Sequence, residues 1–104
     1  MNNYRFISIK KSNKQDKKYM AIFQNRKTGR NKTIHFGASG MEDYTIHKDK
    51  ARMENYIKRH GGMGEDWSNP VSAGWWSRWL LWSKPEFKDA LKLVMSKLKK
   101  GGYL

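Results

Sequence analysis

The stretch HFGASGMEDYTIHKDKARMENYIKRH, residues 35–60, decides the fold, because within it a strand pattern gives way to a helix pattern. A β-branched and aromatic segment, residues 32–36, runs into it, and Gly37 and Gly40 end that segment. The stretch also carries three His, two Asp and two Tyr, which a bare fold does not require. This density of polar side chains predicts a surface that binds a partner, and we expect the partner to be a polyanion.

Two further strand patterns lie before this stretch. Residues 4–9 and 19–23 are rich in β-branched and aromatic side chains, and polar turn residues separate them. Gly29 lies in the following turn, where it is free to take a positive φ. With residues 32–36, these segments predict a three-stranded antiparallel meander.

Three helices are predicted after the meander. The first covers residues 46–60, with Asp43 or Thr45 as its N-cap and a Gly-Gly stop at residues 61–62. Residues 63–66 are expected to form a linker.

The second predicted helix begins at Asn69-Pro70, because Pro is favoured in a first helical turn. The third begins at a capping box formed by Ser83 and Glu86, and an apolar stripe follows. Strands followed by helices predict an α+β fold, a three-stranded antiparallel meander followed by three helices packed on one face of the sheet. We expect one domain over residues 1–104, with a basic β-meander in residues 1–40 and a helical part in residues 41–104.

The net charge of +13 is distributed unevenly along the 104 residues. Residues 1–40 hold ten Lys/Arg and one acid, Asp16, for a net charge of +9, whereas residues 41–104 hold twelve Lys/Arg and eight acids, for +4. This asymmetry favours a polyanionic partner. The absence of cysteine excludes disulfides and thiolate metal sites, and the sequence shows neither a signal-peptide pattern nor an apolar run of transmembrane length.

Basic side chains at the turns of the meander and on the first helix could neutralise phosphates. We expect the nucleic-acid contacts to come from Lys17, Lys18, Arg26, Lys27, Arg30, Lys32, Lys48, Arg52 and Arg59. The alternative is an ordinary exposed hairpin, whose edge Lys residues prevent aggregation.

The His and Asp residues of the sequence are candidate metal ligands: His35, Asp43, His47, Asp49 and His60. Their spacing matches no metal motif such as His-Glu-x-x-His, and residues two apart on a helix point in different directions. We therefore predict structural roles for His35 and Asp43, and no catalytic residue, metal or cofactor.

The second predicted helix carries Trp75, Trp76, Trp79 and Trp82, and we call it the Trp segment. It offers a second kind of surface. Trp75, Trp79 and Trp82 fall on one helical stripe, and Trp76 falls on the adjacent one. We expect one stripe in the core and either Trp76 or Trp82 as the anchor of a protein contact, with base stacking as the alternative. The third helix also has a Lys stripe, but its apolar stripe is expected to dock on the domain, so no membrane partner is predicted.

The motif His35-Phe-Gly-x-x-Gly-x-x-Asp-Tyr-Thr-x-His-Lys-Asp-x-x-Arg-x-x-x-Tyr-x-x-Arg-His60, followed by Trp67, Pro70, Gly74 and Trp79, supports a family resemblance. The chain, over roughly residues 33–90, resembles a family of small basic proteins of uncharacterised function from nucleocytoplasmic large DNA viruses. The resemblance implies a viral origin, and a location in the virion or in the host cytoplasm or nucleus at the viral factory. It brings no established activity.

These observations together predict a non-catalytic viral nucleic-acid-binding protein, with DNA favoured over RNA as its partner. The alternative is a minor capsid or cement protein, in which the Trp segment and the basic faces would bridge larger virion structural proteins. Oligomeric state does not follow from the sequence.

Overall fold

Three strands form one antiparallel sheet in the order β1-β2-β3, which confirms the predicted meander. The computed structural model describes residues 3–62 and 67–104. Strand β1 covers Tyr4–Lys11, β2 covers Lys17–Asn25 and β3 covers Asn31–Ala38. The buried residues of β2, Ala21 and Phe23, and those of β3, Ile34 and Phe36, are two apart along each strand, as expected for a sheet with one covered face.

A β-bulge adjusts the first strand to the core. Phe6 lies opposite Phe23, and Ser8 lies opposite Ile22, so Ile7 is an additional residue in β1. Because of the bulge, both Phe6 and Ile9 pack against the core, although they are three residues apart. The Ile7 side chain is left 43% exposed.

The predicted first helix is two helices, α1 (Tyr44–His47) and α2 (Lys50–Gly62). The chain breaks at Lys48, which has a φ of 55° in the left-handed region. The Asp49 amide then donates to His47 Nδ1 at 2.9 Å, and Asp49 Oδ1 accepts from the Ala51 amide at 3.0 Å. Local side-chain hydrogen bonds therefore end one helix and start the next.

The Trp segment begins three residues later than Asn69-Pro70, at α3 (Ala73–Trp76), which continues into a π-helical turn, Ser77–Leu81. Ser72 is the cap, since its hydroxyl accepts from the Trp75 amide at 3.3 Å. The predicted linker at residues 63–66 lies outside the described residues.

The capping box predicted before the last helix is wrong. Helix α4 covers Phe87–Lys100, and Glu86 at its N-cap position makes no side-chain capping bond. The Ser83 hydroxyl donates instead to the Trp79 carbonyl at 2.5 Å. The π-helical turn leaves carbonyl groups without helical partners at its C-terminal end, and Ser83 satisfies one of them.

The core lies between the covered face of the sheet, α3 with its π-helical turn, and α4. Its largest fully buried side chains are Phe23, Phe36, Trp76, Leu80, Leu81, Val94 and Leu98. The apolar stripe of α4 is buried at Ala90, Val94 and Leu98, as predicted. The α+β class is confirmed, with four α-helical elements where three were predicted. Within the described ranges, no helix has the length and apolar character that crossing a membrane requires.

The two Trp stripes do not separate into core and surface. Trp75 and Trp76 are both buried, and Trp76, at 0% exposed, donates from Nε1 to the Pro70 carbonyl at 2.7 Å. Trp76 packs against Phe23 and Phe36 of the sheet, with ring centroids 6.2 and 5.5 Å apart, and Trp75 packs edge-on against Trp76 at 5.2 Å, so both adjacent side chains are covered. Trp76 is therefore a core residue, and its prediction as an interface anchor is wrong. Trp82 is half-buried and remains a candidate.

Candidate nucleic-acid interface

The length of β2 separates the predicted phosphate-binding residues of the meander into two groups. Lys17 and Lys18 begin this strand, whereas Arg26, Lys27 and Arg30 lie in the turn after it. A nine-residue strand is about 30 Å long. The meander therefore presents two basic sites at opposite ends of the sheet.

The second of these sites gains residues from the C-terminal helix. The Arg26 guanidinium donates to the Gly102 carbonyl at 2.9 Å, and the Phe6 amide donates to the Tyr103 carbonyl at 2.7 Å. These bonds bring the last turn of α4, with its exposed Lys99 and Lys100, to the β2–β3 turn. We call this surface the basic end, and it consists of Arg5, Arg26, Lys27, Arg30, Lys32, Lys99 and Lys100.

The turn in the basic end is held in shape by its own hydrogen bonds. Asn25 Oδ1 accepts from the amides of Lys27 and Thr28 at 2.9 and 3.1 Å. Gly29 has the predicted positive φ, 74°, and its carbonyl accepts from Gln24 Nε2 at 3.1 Å. Such a turn presents its exposed Lys27 and Arg30 side chains from a fixed backbone.

No acid neutralises the basic end within the described residues. The ion pairs among the described residues are Lys18 with Asp43, Lys48 with Glu86, and Arg52 with Glu42. All three lie away from the β2–β3 turn. Arg26 is bound to the backbone carbonyls of Tyr4 and Gly102, which leave its positive charge in place. Among the described residues, no ion pair therefore balances the positive charge of this surface.

Two of the predicted contact residues on the helical side have partners within the fold. The Lys48 ammonium donates to the Pro85 carbonyl at 2.7 Å and to Glu86 Oε1 at 3.1 Å. Arg52 lies 3.9 Å from the Glu42 carboxylate. Lys48 thus joins the α1–α2 corner to the loop before α4, and the charge of Arg52 is partly balanced.

A cleft of about 360 Å³ lies between the end of the sheet and the helices. Its lining includes the other three predicted residues, Lys17, Lys18 and Arg59. Apolar groups from β3, α2 and the Trp segment form much of its wall. The lining also includes Asp43, His60, Ser77 and Trp82.

Asp43 is held at the inner wall of this cleft. Its side chain is 4% exposed, and its Oδ2 lies 2.6 Å from the Lys18 ammonium, whose side chain is 17% exposed. Its Oδ1 accepts from the amide and the hydroxyl of Thr45, so Asp43 is the N-cap of α1, as one of the two predictions had it. The ion pair was not predicted, because Lys18 lies 25 residues away and nothing local connects the two.

Three side chains of residues 35–60, namely His47, Tyr56 and His60, form an aromatic cluster with Trp82. The Tyr56 ring lies 4.4 Å from Trp82 at an interplanar angle of 2°, and 4.1 Å from His60 at 27°. His47 contacts Trp82 at 5.3 Å. His35 lies apart on β3, where its Nδ1 is 2.7 Å from the Ser12 hydroxyl. Across the described ranges, no three His, Asp or Glu side chains converge in a way that could hold a metal ion.

Arg78 is a half-buried cation that sequence analysis did not single out. Its guanidinium lies 5.4 Å from the Trp67 ring and 4.3 Å from the Trp79 ring, and it donates to the Trp82 carbonyl at 3.0 Å. Burial lowers the pKa of Arg78 from its usual value. The arrangement is a cation–π contact that fixes the Trp segment, and it adds no charge to the basic end.

The fold and these surfaces define the class of the molecule as a small basic α+β domain with a cluster of cations at one end of its sheet and an aromatic-walled cleft at the other. The chain belongs to the family of unknown function DUF5754, whose model matches residues 7–60. This range covers most of the meander and continues to His60 in α2. Neither the curated proteins nor the solved structures contain a match to the chain.

Proposed function

We propose that this protein binds nucleic acid without catalysing a reaction, and that the basic end makes most of the phosphate contacts. One observation carries the proposal: seven cations from β1, the β2–β3 turn, β3 and the last turn of α4 lie at the same end of the sheet, and none of them forms an ion pair with an acid among the described residues. Lys and Arg arranged in this way bind a polyanion by neutralising phosphates and releasing counterions.

The structure of the turn supports this proposal. Its backbone is already ordered by hydrogen bonds to Asn25 and Gln24, so binding requires little further ordering of the chain. Contacts to phosphates position a protein without specifying sequence. We therefore propose binding that is largely independent of nucleotide sequence.

The resemblance to small basic proteins of large DNA viruses supplies the setting of the proposal. On that basis we propose DNA before RNA as the partner, and the virion or the viral factory as the location. The capsid or cement alternative is weaker, because Trp76 is in the core and Trp82 is left as its only predicted anchor.

A charge-matched pair of variants tests the proposal. The first replaces Lys27, Arg30, Lys32 and Lys100 with Gln, which leaves the structural bonds of Arg26 intact. The control variant replaces four other Lys residues with Gln, namely Lys50, Lys84, Lys88 and Lys92, which are also exposed and lie outside the basic end. Both variants lose the same formal charge.

Fluorescence anisotropy with duplex and single-stranded DNA, at salt concentrations from about 50 to 200 mM, gives the slope of log K against log salt. Four lost phosphate contacts should reduce that slope by about 3.6 for duplex DNA in the first variant, since each contributes about 0.9. The control should change it much less. Equal losses in both variants would mean that net charge, and not the basic end, determines binding.

A further inference from the structure

The cleft lies at the opposite end of the sheet from the basic end, and its lining differs in kind. Trp82 and Tyr56 form an aromatic wall, and Phe36 and Leu81 add apolar surface. A basic surface that binds only phosphates needs no such wall. The cleft therefore suits a ligand with a flat body as well as a charged group.

Two of the cations that line the cleft have no acidic partner among the residues that the structure describes. Lys17 comes from the start of β2 and Arg59 from the last turns of α2, and neither forms an ion pair within the described residues. Lys18 is already paired with Asp43. Lys17 and Arg59 therefore bring two positive charges from distant parts of the chain to one cleft, whose lining also includes the carboxylates of Glu42 and of the paired Asp43.

The size of the cleft limits its occupant. Its volume of about 360 Å³ is at the lower end of the range for ligand sites, which is about 300–1,000 Å³. A single ring system with one anionic group is compatible with that volume, whereas a length of strand is not. The Ser77 hydroxyl also lines the cleft and can form a hydrogen bond with a polar ligand edge.

We propose that the cleft binds one nucleotide unit, with its phosphate at Lys17 and Arg59 and its base against the Trp82 side of the wall. Among flat ligands with an anionic group, the choice of a nucleotide rests on the proposed function. The same chemistry is present in a free mononucleotide and in the 5′-phosphorylated end of a strand.

Calorimetric titration of the full chain with deoxythymidine monophosphate, thymidine and inorganic phosphate tests the site. The cleft variant carries Lys17→Gln and Arg59→Gln, and its charge-matched control carries Lys14→Gln and Lys58→Gln at exposed neighbouring positions that do not line the cleft. A further variant, Ala73→Glu, places a negative charge in the cleft at a first helical turn, where an acid favours folding.

The monophosphate should bind about tenfold or more tightly than thymidine or inorganic phosphate. The cleft variant and Ala73→Glu should both lose this preference, and the control should keep it. Absence of monophosphate binding, equal binding of inorganic phosphate, or equal losses in cleft variant and control would each overturn the proposal.

A short oligonucleotide with either a 5′-phosphate or a 5′-hydroxyl separates the two sources of the ligand. A preference for the 5′-phosphate that disappears in the cleft variant would assign the cleft to strand ends, and its absence would assign it to free nucleotides. Retention of salt-dependent DNA binding without monophosphate binding would refute the cleft proposal alone. Loss of DNA binding with monophosphate binding intact would refute only the proposed function.

Discussion

Removal of the Lys18 ammonium should destabilise the domain strongly, because it would leave the Asp43 carboxylate buried without a counter-charge. The two side chains are 2.6 Å apart, and they join β2 to the start of α1. The variant Lys18→Met retains the length of the side chain and much of its packing, so the change is mainly electrostatic.

The expected cost follows from the burial of the pair. Breaking a buried ion pair by removing one partner costs about 3–5 kcal/mol. The Lys18 side chain is 17% exposed and Thr45 still donates to Asp43, so we expect the lower end, about 3 kcal/mol. Asp43→Asn keeps an N-cap acceptor and leaves a Lys that can reach water, so it should cost about 1–2 kcal/mol. Asp43→Ala should cost about 1 kcal/mol more, because the cap is also lost.

Urea unfolding followed by circular dichroism measures these free energies, and the double variant Lys18→Met/Asp43→Asn gives the coupling energy. The matched control is the exposed pair Lys48 and Glu86, whose side chains are 47% and 62% exposed. Its coupling should be about 0–1 kcal/mol. If Lys18→Met cost no more than Lys48→Met, the argument that burial makes the Lys18–Asp43 pair important would fail.

Three further perturbations test the packing. Gly37 has a φ of 78°, and a Cβ there would lie 2.9 Å from a methyl carbon of Leu81, so Gly37→Ala should cost about 2–3 kcal/mol in urea unfolding. Gly40 has a similar φ of 81° but open space around it, so Gly40→Ala should cost only about 1 kcal/mol. Trp76→Ala should cost about 3–5 kcal/mol and Trp82→Ala clearly less, and equal thermal shifts in the two variants would contradict the assigned burial. Burial, with a smaller contribution from a nearby carboxylate, raises the pKa of Tyr19 above 10.0. Its neutral form therefore stabilises the fold below the unfolded pKa of about 10, and this contribution is lost as the pH rises through the folded value, so Tyr19→Phe should remove the latest phase of an absorbance titration.

The meander could be predicted because its signals are local. β-Branched and aromatic residues mark the strands, and Gly29 marks a turn between adjacent strands, so no long-range information is needed. The order of elements then predicts the α+β class. The N-cap at Asp43 is also a local signal, since the carboxylate and the amide that it accepts from are two residues apart.

The helix boundaries were less predictable, because they depend on particular hydrogen bonds and on tertiary contacts. The residue pattern of 46–60 is continuous, and nothing in its periodicity requires Lys48 to adopt a left-handed conformation. Its ammonium bonds to Pro85 and Glu86, nearly forty residues away, which favours that corner. The π-helical turn had no sequence signal that we recognised, and the burial of both Trp75 and Trp76 depends on tertiary contacts with the sheet.

The candidate sites were predicted as residues but not as surfaces. Lys27 and Arg30 were expected to contact phosphates, yet nothing in the sequence places them beside Lys99 and Lys100. That proximity depends on α4 crossing the sheet and ending at the Arg26 side chain. The cleft likewise depends on α2 and the Trp segment meeting at the end of the sheet, which is a tertiary property.

The boundary of the matched family region does not coincide with the boundary of the folded core. The match covers residues 7–60 and contains the covered face of β2 and β3, with Phe23 and Phe36 on it. The side chains that cover this face, including Trp76, Leu80 and Val94, come from residues 67–104. Large apolar surfaces of this kind are rarely stable in water when exposed. The described segment after the match, residues 67–104, is therefore required for the core of the sheet, and it also completes both candidate sites, through Trp82 in the cleft and through the last turn of α4 at the basic end.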